Sequence, residues 1–69
     1  MKNQLILKNN LKKVRNDKNM SQEDLARLVG TSRQTIIAIE KRDYNPSVSL
    51  SMLISIALDS KVEDLFYFE

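Results

Sequence analysis

Apolar positions recur at helical spacing from Leu11 onward and are interrupted by turn residues, so most of the chain reads as a string of short helices. Ahead of them, Leu5-Ile6-Leu7 is a compact apolar run flanked by Asn3, Gln4, Lys8 and Asn9, too short for its period to separate strand from helix. Asn9 and Asn10 mark a boundary, and either can cap the segment that follows. Between Leu11 and about Asn19 only Leu11 and Val14 are apolar, which predicts a short, solvated helix bearing Lys12, Lys13, Arg15 and Lys18. Ser21, followed three residues later by Asp24, is a helix-start signature. Leu25, Ala26, Leu28 and Val29 give that helix an apolar face, and Gly30 stands where a helix ends in a left-handed turn.

Ser32 offers a second cap only two residues later, and Arg33 to Glu40 reads as another helix with Ile36 and Ile39 on one face. Two short helices joined through a glycine-centred turn form the helix-turn-helix arrangement, which many small helical bundles also contain. Asp43-Tyr44-Asn45-Pro46-Ser47 is a loop, and Val48 to Leu58 is a helix too apolar to have a water-facing stripe of ordinary width. Ser60-Lys61-Val62-Glu63 repeats the helix-start pattern and opens a last short helix through Leu65, while Phe66-Tyr67-Phe68 favours strand.

Composition narrows the function. The 69 residues suit one small domain. Without cysteine or histidine they lack the commonest general base and the commonest zinc ligands. A single glycine leaves no phosphate-cradling loop, so an enzyme is not expected, nor a metal or cofactor. The chain carries no membrane-length apolar run and no secretory signal, which points to the cytoplasm. Charge is polarised: residues 1–42 hold ten Lys/Arg against four Asp/Glu, and residues 43–69 hold one lysine against five acids. That distribution suits a module with one face turned to a polyanion.

The ordered set Leu11…Arg15, Ser21-Gln22-Glu23-Asp24-Leu25-Ala26, Gly30-Thr31-Ser32-Arg33-Gln34-Thr35-Ile36, Ile39-Glu40, Asn45-Pro46-Ser47, Ile54 and Leu65-Phe66 resembles the helix-turn-helix domain of lambda-repressor-like and Cro-like regulators over about four-fifths of the chain. The resemblance implies an all-α fold of five helices, with the third, about Ser32 to Lys41, entering the major groove of double-stranded DNA. It places Arg33, Gln34, Ile37 and Ala38 against base edges. Arginine suits guanine, glutamine suits adenine, and an apolar side chain can pack on a thymine methyl. Gln22, Thr31, Ser32, Thr35, Lys41, Arg42, Asn45 and Ser47 fall where phosphate contacts are made, with Asn45 and Ser47 equally suited to loop and cap roles. Arg15 and Glu40 match a largely buried ion pair that orients the third helix. Relatives often have glycine or asparagine where Arg42 stands, and an arginine at positive φ would cost more than glycine there.

The surplus of apolar residues implies a partner. Leu53 and Ile56 share a helix face, and with Val62, Leu65, Phe66 and Phe68 they exceed what so short a chain easily buries, which predicts a homodimer interface there. An economical use of the ends pairs residues 4–8 with 66–68 as a two-stranded antiparallel ribbon. These features together predict a sequence-specific transcriptional regulator, a repressor on a palindromic operator. The alternative is an antitoxin or other protein-interaction module built on the same domain.

Overall fold

The computed structural model describes residues 5–69. It contains strand β1 (Leu7–Asn9), helices α1 (Leu11–Asp17), α2 (Gln22–Val29), α3 (Arg33–Glu40), α4 (Val48–Ala57) and α5 (Val62–Leu65), and strand β2 (Phe66–Phe68). Helices α2 and α3 pack on one another, α4 closes over α2, and α5 leads from α4 into the ribbon. Their common core is Leu11, Leu25, Ala26, Val29, Ile36, Ile39, Ile54, Leu58 and Leu65, at least one from or beside every helix. Helices this short are marginal alone in water, so this shared apolar contact holds them.

The ends form the expected ribbon, in a shifted register. Leu7 lies opposite Phe68, Lys8 opposite Tyr67 and Asn9 opposite Phe66, so pairing starts later than residues 4–8 would have it, and Gln4 lies outside the described residues. The reason is the junction with α1: the Asn10 N–H donates to the Leu65 carbonyl at 2.8 Å, and this sets which residues meet. Two strands alone are marginal. This pair is supported by Phe66, which packs against the core, and by an ion pair between Lys8 and Glu69.

Four helix ends turn through a left-handed residue, and only one of the four is glycine. Gly30 (φ 77°) closes α2, whereas Asn19 (φ 56°), Arg42 (φ 66°) and Asp59 (φ 50°) follow α1, α3 and α4. After α3, the Arg42 N–H donates to the Ile39 carbonyl and the Asp43 N–H to the Ala38 carbonyl, both at 2.9 Å, which satisfies the exposed end of the helix. The same double closure follows α4 through Asp59 and Ser60. It removes Ser60 from the capping role its spacing suggested. The Ser60 hydroxyl donates to the Leu58 carbonyl, and α5 starts instead from Lys61, with no side-chain cap.

Backbone strain at these turns gives a direct test. Arg42→Gly should raise unfolding stability by about 1 kcal/mol, since glycine accepts positive φ without penalty. Gly30→Ala should lower it by about 1–2 kcal/mol, and the loss is purely conformational because an added Cβ would meet no atom within 4 Å. Urea midpoints that move in opposite directions at constant m-value are the expected result. Two neutral substitutions would contradict it.

Candidate nucleic-acid interface

The interface begins with how α2 and α3 are started. Ser21 Oγ accepts the Asp24 N–H at 2.9 Å while Asp24 Oδ2 accepts the Ser21 N–H at 3.2 Å, a reciprocal cap that fixes the first turn of α2. The Ser21 backbone N–H bond, then its hydroxyl, hold the Asp24 carboxyl below its ordinary titration range. The chain leaves α2 through Gly30, and the Thr31 N–H donates back to the Ala26 carbonyl at 2.9 Å. Ser32 then caps α3 by accepting the Thr35 N–H at 3.1 Å, and its hydroxyl shares a 2.9 Å hydrogen bond with that of Thr35. The short link leaves α3 no freedom to slide along α2.

A buried ion pair sets its angle. Arg15 Nε donates to Glu40 Oε2 at 2.7 Å and Arg15 Nη2 to Glu40 Oε1 at 3.2 Å, with side-chain exposures of only 7% and 5%. Both charges are therefore largely removed from water, so each depends on its partner and on further hydrogen bonds. Those bonds are present. Arg15 Nη1 donates to the Met20 carbonyl at 2.8 Å and to Asn16 Oδ1 at 3.2 Å, and Gln22 Nε2 donates to Glu40 Oε1 at 3.1 Å. Glu40 thus ties α1, the start of α2 and the end of α3 at one carboxylate.

Around this anchor the remaining site residues divide by exposure. Arg33 and Gln34 are exposed at the start of α3, while Ile37 and Ala38 are half-buried, less open than a groove-facing position suggests. Thr31 and Thr35 are half-buried, and Ser32 is exposed but engaged as a cap. Lys41, Arg42, Asn45 and Ser47 are all exposed beyond the far end of α3, and Ser47 also caps α4 by accepting the Leu50 N–H. Gln22 is half-buried, with its amide already held by Glu40. An open cleft lined by Lys12, Arg15, Ser21, Gln22, Glu23 and Arg33 joins α1 to this surface, which brings Lys12 into a region that helix spacing alone did not assign to it.

α4 and β2 carry exposed apolar side chains. Val48, Met52, Leu53 and Ile56 are exposed on α4, and Phe68 on β2, while Val62 and Phe66 are half-buried. Leu65 is a correction: it is fully buried in the core, because α5 turns it inward against α4, and it cannot contribute to a contact with another molecule. Met52 and Val48 belong with Ile56 at successive spacings of four, a signal already present in the sequence.

Two capped helices joined by a short glycine turn, with exposed polar side chains leading the second, form the helix-turn-helix arrangement that DNA-binding modules use. The family model described as helix-turn-helix matches residues 11–65, and the chain belongs to that family, in its lambda-repressor-like and Cro-like branch. The chain is 51% identical over 63 residues to an HTH-type transcriptional regulator of Methanocaldococcus jannaschii, covering 91% of this chain and 96% of the relative. Among solved structures it resembles the restriction-modification controller protein C.AhdI of Aeromonas hydrophila, at TM-score 0.75 and 31% identity over 78% of this chain and 82% of that one. It also resembles the N-terminal DNA-binding domain of SinR from Bacillus subtilis, at TM-score 0.71 and 30% identity over 77% and 78% of the two chains. The chain is accordingly a DNA-binding member of a family of transcriptional regulators. Among the described residues no helix is long and apolar enough to cross a membrane.

The ion pair yields the prediction here. Glu40→Ala leaves a guanidinium buried without its partner and should cost about 3–5 kcal/mol. That is a large share of the stability of a domain this small. Thermal unfolding checks it, and an unchanged melting curve would contradict the burial.

Proposed function

We propose that this protein is a dimeric repressor that reads a two-fold symmetric operator by inserting α3 into the major groove, acting in the cytoplasm. The observation that carries the reading is the exposure of Arg33 and Gln34 at the leading end of a helix whose angle is held by the buried Arg15–Glu40 pair. An arginine there can bond guanine O6 and N7, and a glutamine adenine N6 and N7. Ile37 and Ala38 supply apolar contact for thymine methyls. Lys41 and Arg42 grip phosphate at the far end of the helix, with Asn45 and Ser47 in the adjoining loop. Gln22, Thr31, Ser32 and Thr35 line the backbone path at the near end. The likeness to a controller protein and to a DNA-binding domain supports the regulatory role.

The dimer is proposed to form through Leu53 and Ile56 on α4, extended by Met52 and by Val62, Phe66 and Phe68 where they remain accessible. Ile56 is 73% exposed and Leu53 46%, apolar area that water disfavours unless a second copy covers it. Closed two-fold symmetry then sets two α3 helices about 34 Å apart, one turn of duplex.

Reading and gripping separate experimentally. On a duplex selected from a random pool by the purified protein, Arg33→Ala should cost about 1–3 kcal/mol and flatten the preference at one base pair. Lys41→Ala should weaken selected and scrambled duplexes alike and reduce the slope of log affinity against log salt by about one. Equal losses on both duplexes for Arg33→Ala would refute its reading role. Sedimentation at micromolar concentration should show a dimer that Ile56→Asp converts to monomer; a monomeric parent protein would refute the dimer.

A further inference from the structure

The asparagine at the end of β1 does more than finish a strand. Asn9 is paired with Phe66 in the ribbon, and its Oδ1 accepts the Leu11 N–H at 3.1 Å, which opens α1. Its Nδ2 reaches across 30 residues of sequence and donates to the Ile39 carbonyl at 2.9 Å. That same carbonyl accepts the Arg42 N–H at 2.9 Å, the bond that closes the left-handed turn after α3. A carbonyl oxygen has two acceptor sites, and here one serves the turn and the other the ribbon. One side chain therefore connects the terminal ribbon, the start of α1 and the exit of α3.

We propose that Asn9 is a positioning residue for DNA binding: its amide fixes the exit of α3, and with it the Lys41–Arg42 turn, to the terminal ribbon. The inference rests on the reading of Lys41 and Arg42 as phosphate contacts. The Arg42 backbone sits in a conformation that L-residues disfavour, so its turn needs restraint from outside. Ile39 is anchored in the core by its side chain and at its carbonyl by Asn9, which leaves the exit of α3 little latitude. Releasing the carbonyl from Asn9 lets the turn sample other orientations, and phosphate contacts lose their preset geometry. Asn10 provides an internal control. Its Nδ2 donates to the Asp64 carbonyl at 3.1 Å, so it ties the same junction to α5, with no hydrogen bond to α3 among the described residues.

The test compares Asn9→Ser with Asn10→Ser. Serine retains a hydroxyl that can accept the N–H two residues on, but it is too short to donate to Ile39. Binding is measured on a mixed-sequence duplex of about 25 base pairs, because sequence-independent affinity reports phosphate contacts. All variants are compared at a temperature where circular dichroism shows them fully folded. Asn9→Ser should weaken binding about threefold to tenfold, the size of one hydrogen bond, and Asn10→Ser should leave it within about twofold. The amide resonances of residues 41–43 should move in Asn9→Ser and not in Asn10→Ser. A lower melting temperature with unchanged affinity, or equal losses in the two variants, would overturn the proposal. Should Asn9→Ser fail to fold, Asn9→Asp keeps the acceptor and loses the donor, and Asn10→Asp matches its added charge. Lys41→Ala, measured alongside, keeps the two ideas apart: an unchanged salt slope would refute the phosphate reading itself. A reduced slope with unaltered Asn9 variants would refute only the positioning role.

Discussion

The ion pair between Arg15 and Glu40 is the constraint on which the rest of this fold depends. Burying two opposite charges is unfavourable unless geometry and surrounding hydrogen bonds compensate, and here four guanidinium bonds and a glutamine amide do so. An apolar pair of similar volume would serve stability as well, but it would not fix direction. The bidentate contact allows one angle between α1 and α3, and the Gln22 bond extends that restraint to the start of α2. The segment proposed to meet DNA is thereby held before DNA arrives, which reduces the ordering cost of binding.

The exposed residues around that centre are of two kinds. The first 42 residues carry a surplus of six positive charges, and the remainder a deficit of four. Exposed Arg33, Lys41 and Arg42 belong to the positive part, exposed Val48, Met52, Leu53 and Ile56 to the other. Glu63 and Asp64 on α5, with Asp59 just before it, disfavour approach to phosphate, whereas α4 itself carries no charge. The ribbon takes one strand from each of these parts and connects them, through Phe66 against the core and Asn9 against the end of α3.

Much of this arrangement was legible in the residues. Ser21 with Asp24, Ser32, and Gly30 are local signals whose physics is complete within a few residues, so the bounds of α2 and α3 follow from them. The pairing of the chain ends was legible as well, but not its register, because that depends on where α1 begins relative to Leu65. Ser60 shows why a local signal can fail. The closure of α4 claims its N–H for the Ser55 carbonyl and its hydroxyl for the Leu58 carbonyl before α5 can use either. Leu65 shows the same limit for surfaces: an apolar residue on a four-residue helix has no period from which its direction can be read, and here it faces inward. The Asn9 contact was not legible at all, since nothing local relates residue 9 to residue 39.

The central claim is that the surface led by Arg33, Gln34 and Lys41 meets DNA while the exposed apolar residues of α4 and β2 do not. Titrating the isotopically labelled protein with duplex DNA and following backbone amide resonances tests it most directly. The account predicts that resonances of residues 21–22, 30–35, 41–45 and Ser47 shift progressively, while those of Leu53, Ile56 and Phe68 stay at their free positions. Shifts confined to α4 and β2, with α3 unaffected, would contradict it.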